Sequence, residues 1–342
     1  MVKRKVLVVD DSAVMRRIIT DLLSSDEELE VVGTAKNGAE AIEMVRELGP
    51  DLVTMDIEMP VMDGLTSLQH IMAECPLPVV MLSSMDKRQA NITFKAMDLG
   101  AVDFISKTSG SLSLDLEHVR REVLEKVKAA ADAKVSPRRS PAFGIEPVAV
   151  PTLSGDWLVV IGASTGGPKA LPEVLSRLPG SLPAAVLVVQ HMPEGFTHSF
   201  AERLSWSTSL EVKEAEDGED IRKGMVYLAP GNRHMTVADN KIMLDDGPKV
   251  NYVRPAVDVL MMSVAPIYGP RAVGVILTGM GSDGAEGMRH IKMNGGKTVV
   301  QDEDTCTVYG MPKAVVELGA ADKVVPLQDI AKSIIVMLSA GM

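Results

Sequence analysis

Two periods of apolar and polar positions alternate along residues 4–107. Val6-Leu7-Val8-Val9 is a continuous, mostly β-branched run, the pattern of a strand buried on both faces. Across Ser12–Ser24, Val14, Ile18 and Leu22 then recur at helical spacing. The same reading predicts strands at Leu29–Thr34, Leu52–Met55, Val79–Leu82 and Asp103–Ile105, with helices at Gly38–Leu48, Gly64–Cys75 and Arg88–Leu99 between them. Strands alternating with helices predict a doubly wound α/β domain. Glu117–Lys134 reads as a further helix, charged on most faces. Val135–Ser154 follows with Pro137, Pro141, Pro147 and Pro151, a density that stops both helix and sheet interior and marks a linker. A second alternation begins near Asp156. Strands are expected at Leu158–Ile161, Ala185–Val189, Leu210–Lys213, Met225–Leu228, Ala272–Leu277, Thr298–Val300 and Lys323–Val325. Helices are expected at Pro168–Leu175, Pro255–Tyr268, Ala285–Asn294, Met311–Glu317 and Asp329–Leu338. His234–Val237 and Lys241–Leu244 flank Asp239-Asn240 as a hairpin would. The expected organisation is a domain over 1–127, a linker over 128–153 and a second α/β domain over 154–342. No sequence period links the two halves.

Composition narrows the function classes. A chain of 342 residues fits two domains. No run of about 18 apolar residues occurs, so membrane insertion is not expected. Met1–Lys5 leads into a short apolar run ending at Asp10-Asp11, which lacks the longer core of a signal peptide. Cys75 and Cys306 lie in different halves, which argues against a disulfide framework or zinc site and favours the cytoplasm. A net charge of −11 and an aromatic content of 3% argue against nucleic-acid binding, and Arg138-Arg139 reads as a solvated part of the linker.

Asp10 and Asp11 follow the first strand, Asp56 the third, Ser83 the fourth and Lys107 the fifth. In an open parallel sheet these carboxyl ends gather at one rim. Carboxylates converging there repel one another unless a hard cation such as Mg²⁺ sits among them, and a lysine and a hydroxyl opposite suit a phosphoryl group. An N-cap role for Asp11-Ser12 accounts for one of these residues, not for a set at consecutive strand ends.

Val8-Val9-Asp10-Asp11-Ser12, Met55-Asp56-Ile57-Glu58-Met59-Pro60-Val61-Met62-Asp63-Gly64, Ser83 and Lys107 resemble the response-regulator receiver domain, whose fold is a flavodoxin-like five-stranded parallel sheet. The resemblance implies that Asp56 accepts a phosphoryl group, with Mg²⁺ held by Asp10, Asp11, Asp56 and the backbone carbonyl of Glu58. It implies further that Ser83 and Lys107 bind the phosphoryl oxygens and that Phe104 is the aromatic switch residue. In one departure, Thr108 follows Lys107 where the family usually carries proline.

In the second half, Trp157–Ile161 leads into Gly162-Ala163-Ser164-Thr165-Gly166-Gly167-Pro168, a strand, a small-residue turn and a helix start. Such a turn offers backbone N–H groups to an anion or oxyanion. It serves either as a phosphate loop or as a nucleophile turn exposing Ser164 or Thr165; G-x-G-x-x-G and the Lys-Ser/Thr of a P-loop are both absent. Ala185–Val189 then puts His191 just past a buried strand, and Ala272–Leu277 puts Asp283 in a glycine-rich turn opening a helix. A hydroxyl, an imidazole and a carboxylate at neighbouring strand ends can form an activated nucleophile. Their chain order, Ser–His–Asp, is not that of the α/β-hydrolases. His234 rivals His191 as base, and Asp302 and Asp304 rival Asp283. His70, His118 and His290 are expected on helix faces, and His198 on a helix.

Gly162–Gly167, Gln190-His191-Met192-Pro193, Ala229-Pro230-Gly231, Arg254-Pro255-x-Val257-Asp258 and Leu277–Gly284 look like the catalytic domain of the CheB family of chemotaxis protein-glutamate methylesterases. The resemblance implies a mostly parallel, Rossmann-like hydrolase domain with Ser164 as nucleophile, His191 as base and Asp283 as orienter. Thr165 and Met280 would help form the oxyanion and positioning site. It implies methyl-accepting chemoreceptors as substrate, methanol release from glutamate methyl esters, deamidation of receptor glutamines and a chemotaxis histidine kinase as phosphodonor. The receiver would restrain the hydrolase until phosphorylated. Mg²⁺ would serve the receiver, with no cofactor for the ester step. The alternative is a receiver-controlled output module that binds a nucleotide or protein without catalysis.

Overall fold

Every apolar run read above as a buried strand pairs in parallel with its neighbours, because strands apolar on both faces need helices on either side. The computed structural model describes residues 3–84, 87–107, 116–133 and 156–339. It divides into two compact units, Met1–Pro141 and Ala142–Met342. The proline-rich linker stretch, Arg138-Arg139 and Thr108 lie outside the described residues.

The first unit runs β1 (Arg4–Val9), α1 (Ala13–Ser24), β2 (Leu29–Ala35), α2 (Gly38–Leu48), β3 (Leu52–Asp56), α3 (Gly64–Glu74), β4 (Val79–Ser84), α4 (Lys87–Leu99), β5 (Asp103–Lys107) and α5 (Leu116–Ala131). Its sheet has the order β2-β1-β3-β4-β5, the flavodoxin-like arrangement. The strand order reverses between β1 and β3, which opens a crevice beyond their carboxyl ends, where Asp10 and Asp56 lie. Helix α5 falls within the helix expected over Glu117–Lys134, apart from its first residue, and buries Val127 and Ala130.

Local chemistry sets the helix starts. Ser12, Asn37 and Asp63 are extended N-cap residues whose side-chain oxygens accept from the N–H groups of Met15, Glu40 and Thr66. Asp63-Gly64 also explains how α3 closes over the end of β3. A Cβ on Gly64 would lie 2.0 Å from the backbone oxygen of Asp56, while the Gly64 N–H bonds the Ile57 carbonyl at 2.9 Å.

The second unit runs β6 (Trp157–Ala163), α6 (Gly167–Leu175), β7 (Ala184–Gln190), α7 (Phe196–Ser207), β8 (Glu211–Glu214), β9 (Met225–Leu228), β10 (His234–Ala238), β11 (Lys241–Asp245), α8 (Val257–Tyr268), β12 (Ala272–Ile276), α9 (Ala285–Met293), β13 (Lys297–Gln301), α10 (Met311–Glu317), β14 (Lys323–Val325) and α11 (Leu327–Ser339). Seven strands form one sheet, in the order β14-β13-β12-β6-β7-β9-β8, and every pairing in it is parallel. The antiparallel hairpin β10–β11 is a separate two-stranded sheet. Its turn residues Asp239 and Asn240 both have positive φ, as a tight two-residue hairpin turn demands. Its buried Met235, Val237, Ile242 and Leu244 join the core with α8.

Helix α7 lies where the sequence reading placed only His198 on a helix. Its apolar face is short (Phe196, Phe200, Leu204) and interrupted by hydroxyl residues, so periodicity understates it. Helix α8 begins at Val257 rather than Pro255, because Ala256 is still extended after the cis Arg254–Pro255 bond. Among the described residues, no helix is long and apolar enough to cross a membrane.

Gly64→Ala tests the close approach. The added methyl must displace backbone, so urea unfolding of the full chain should show a loss of about 1–3 kcal/mol. An unchanged midpoint would mean that α3 does not pack on β3 as described.

Candidate functional site

The first unit gathers its chemistry at the β1–β3 rim. Asp10 is fully buried; one of its carboxylate oxygens accepts the Ser12 N–H at 2.9 Å and the other meets Lys107 Nζ at 2.7 Å. Asp56 accepts the Ile57 N–H at 2.8 Å and Lys107 Nζ at 2.8 Å. Carboxylate oxygens of Asp10, Asp11 and Asp56 lie within 4.8 Å of one another. Three carboxylates against one ammonium leave about two negative charges, which suits a hard divalent cation with oxygen ligands. Burial pushes the Asp56 carboxyl above its ordinary value; Lys107 draws it back, and the neighbouring Asp10 charge adds to the rise. Burial works against the Lys107 ammonium, but its bonds to Asp10 and Asp56 outweigh that and raise its pKa.

Ser83 is buried at the end of β4, with its hydroxyl 2.8 Å from Thr93 Oγ1 of α4. Phe104 is buried on β5 with the Lys126 ammonium 5.5 Å from its ring centroid. The sequence reading missed two residues here. Arg16 donates to the carbonyls of Asp10 and Asp11 at 2.8 and 3.0 Å, and its place one turn into α1, back over the acidic pair, is the signal that could have found it. Thr93 carried no such signal.

The second unit builds its rim at the ends of β12, β6 and β7, which are adjacent in the sheet. Ala163 and Gln190 are register partners, so Ser164 and His191 follow directly from paired positions. The His191 N–H bonds the Ala163 carbonyl at 3.0 Å, and the Ser164 N–H bonds the Thr278 carbonyl beyond β12 at 3.1 Å. The Gln190 side-chain amide donates to the carbonyls of both Ser164 (2.9 Å) and His191 (3.1 Å). Thr278 Oγ1 donates to the Thr165 carbonyl at 2.9 Å. Gly279 lies close beneath the serine, where a Cβ would come within 2.8 Å of Ser164 Cβ. Thr165 is buried, and Met280 is half-buried just beyond Gly279.

His191 Nε2 is 2.8 Å from Asp283 Oδ2, both side chains being largely buried. Asp283 also accepts the N–H groups of Val257 (2.6 Å) and Asp258 (3.1 Å), which open α8, and the Asn251 amide at 3.2 Å. Burial would raise this carboxyl, yet His191 and those two backbone donors hold it below the ordinary carboxylate range. A carboxylate bonded to Nε2 fixes the proton there, which leaves Nδ1 as the basic nitrogen.

The rivals are occupied elsewhere. His234 is buried with Nε2 on the Pro248 carbonyl (2.9 Å) and Nδ1 accepting the Ala256 N–H (3.2 Å), so both ring nitrogens hold backbone. Asp302 accepts the Thr305 N–H and hydroxyl at 3.0 and 2.6 Å, within the turn that follows β13. Gln190, Thr278 and Asp258 stood in the motifs without a role. A lone amide ending the apolar run Ala184–Val189 was a usable signal, since a buried amide must find partners. Asn251, in an exposed polar loop, gave none.

A family model described as CheB methylesterase matches residues 159–334, and one described as response regulator receiver domain matches residues 6–116. A protein-glutamate methylesterase/protein-glutamine glutaminase from Symbiobacterium thermophilum is 51% identical over 348 residues, covering 96% of this chain and 96% of that protein. A protein from Syntrophomonas wolfei with the same description, numbered 1, is 48% identical over 355 residues, covering 99% of this chain and all of that protein. The crystal structure of the Thermotoga maritima CheB methylesterase catalytic domain superposes with a TM-score of 0.52 and 46% identity, covering 54% of this chain and 100% of that one. These matches support the hydrolase and not the output module without catalysis. Relatives that match nearly end to end, with both domain families in the same order, decide the matter: this chain belongs to the CheB methylesterase family and carries a response-regulator receiver domain ahead of its hydrolase.

Proposed function

We propose that the hydrolase works through Ser164 as nucleophile, His191 as base and Asp283 as orienter of the base, acting on glutamate methyl esters of chemoreceptors under control of phosphorylation at Asp56. The observation that carries this reading is the 2.8 Å bond from His191 Nε2 to a carboxylate held by the N-terminus of α8, one strand away from Ser164. Ser164 Oγ attacks the ester carbonyl while His191 Nδ1 takes its proton. The imidazolium is stabilised by Asp283 and passes that proton to the departing methoxide, so methanol leaves. Water, deprotonated by the same nitrogen, then opens the acyl-serine and restores glutamate and the free hydroxyl. A receptor glutamine follows the same course with ammonia as the leaving group. The ester step balances with water alone. We assign the oxyanion site to the backbone around Thr165 and Met280, which flank Ser164 from the β6 and β12 sides.

In the receiver, Asp10, Asp11 and Asp56, with the Glu58 backbone carbonyl, would hold Mg²⁺. That ion, when bound, neutralises charge on the incoming phosphoryl oxygens. Lys107 already sits on Asp56 and is placed to follow those oxygens, with Ser83 opposite and Phe104 repacking behind it. A chemotaxis histidine kinase is the phosphodonor in this reading, and the chain works in the cytoplasm.

Ser164→Ala should cut methanol release from methylated receptor by about 10³-fold or more while Asp56 is still phosphorylated. His191→Ala should be comparable, and Asp283→Asn less severe, because orientation and charge are lost but the base remains. Normal turnover by Ser164→Ala would end the covalent route; an inactive His234→Ala beside an active His191→Ala would move the base.

Asp56→Asn should block labelling by an acyl phosphate and abolish any stimulation of methanol release by that donor. Chelating Mg²⁺ should prevent labelling of the wild type, and Asp11→Ala should raise the Mg²⁺ concentration required, since one oxygen ligand is gone. Stable phosphate found by mass spectrometry on a different aspartate would refute the assignment.

A further inference from the structure

Asp258 has no part in the reaction above, yet it is buried against the residue that orients the base. Its contacts are reciprocal with those of Asp283. Asp283 precedes α9 and accepts the Val257 and Asp258 N–H groups that open α8. Asp258 belongs to α8 and accepts at 2.7 Å the Gly287 N–H in the first turn of α9. Neither helix has a side-chain cap from its own N-cap residue, Ala256 or Gly284. Each carboxylate therefore closes the N-terminus of the other's helix, where the helix dipole favours negative charge. The Asn251 amide joins the pair from above, 2.9 Å from Asp258 Oδ2 and 3.2 Å from Asp283 Oδ1.

We infer that Asp258 is a positioning residue for the His191–Asp283 pair: it locks Asp283 in place through crossed helix caps and the Asn251 amide, and its ionised form places a second negative charge behind the base. This rests on the reading of His191 as the base. The charged groups around it are few. Asp283 faces it from the β12–α9 turn, with His191 beyond; His234 of β10 is bound to the Ala256 N–H and the Pro248 carbonyl. On α9, Glu286 pairs with Arg289, and before α8 Arg254 is taken up by Asn232 and the carbonyls of Asp246 and Gly247. No lysine or arginine bonds Asp258 among the described residues. Burial first, then the Asp283 charge, push its carboxyl up to about 6, so its charge develops across the working range of a histidine base. Above that pH the added charge favours the imidazolium formed during attack; below it Asp258 is neutral and the help is absent.

The test is methanol release by the full chain from methylated receptor membranes between about pH 5 and pH 9. Asp258→Asn mimics the neutral acid. It should lower kcat by about tenfold near pH 8 with KM nearly unchanged, move the acid limb of kcat/KM to lower pH, and converge on the wild type toward pH 5. Asn251→Ala, which removes the amide shared by the two carboxylates, should reduce kcat by a smaller factor with KM nearly unchanged. Carbon-13 NMR of the wild type should show a carboxyl titrating near pH 6 that is missing from Asp258→Asn. A loss in Asp258→Asn that is the same at every pH, or wild-type kcat in both variants, overturns the inference; if Asp258→Asn does not fold, a wild-type profile in Asn251→Ala overturns it alone. Ser164→Ala run in parallel separates the two readings: near-wild-type turnover there refutes the nucleophile, while a Ser164→Ala variant reduced by about 10³-fold or more beside an unaltered Asp258→Asn refutes only the role of Asp258.

Discussion

A buried carboxylate closing a helix is the interaction on which the catalytic half depends. Helix α8 starts from Ala256, which has no side chain to satisfy the first N–H groups, and Asp283 supplies the missing acceptor from a distant strand end. Those donors keep the carboxylate ionised in a dry setting and leave it little freedom to turn. The bond to His191 uses what remains of its acceptor capacity. Removing the charge would therefore loosen α8 and the His191 ring together, so one carboxylate ties the helix to the histidine.

The parallel sheet explains why such contacts are possible at all. Its strands point their carboxyl ends the same way, and where strand order reverses, adjacent loops diverge and leave a crevice. The first unit fills that crevice with Asp10, Asp11, Asp56 and Lys107 and retains excess negative charge, an arrangement that attracts a cation. The second fills it with a serine, a histidine and one carboxylate whose charge is met by backbone and side-chain donors. One architecture thus supports phosphoryl chemistry and acyl chemistry, and the side chains at the rim make the difference.

Close backbone approach makes the second rim rigid. Ser164 bonds β12 through its N–H, and Gln190 ties its carbonyl to that of His191. Gly279 lets the β12 turn lie directly against the serine, and Thr278 fastens the next carbonyl, that of Thr165. The backbone positions of Ser164 and His191 are therefore set by the register of β6 and β7. Rigid placement of this kind keeps reacting groups aligned before substrate arrives.

The strands were legible from the chain alone, because runs such as Val6–Val9 and Ala185–Val189 have no stable place except a sheet covered on both sides. The sequence also shows which residues stand at strand ends, since Asp10, Asp56, Ser164 and His191 come at or just past the end of an apolar run, while Asp283 stands in the glycine-rich turn after another. It also determined the hairpin, through two turn residues that tolerate positive φ. Helix α7 escaped because its apolar face is brief, and the burial of Val127 and Ala130 on α5 is not revealed by a helix charged on most faces. Tertiary structure alone decided that His234 would bind backbone with both nitrogens while His191 met a carboxylate, for imidazoles at two loop ends look alike until their neighbours are known. It alone joined Asp283 to Asn251 and Asp258, a coupling that exists only because α8 and α9 start side by side, each needing an acceptor that its own N-cap residue does not provide.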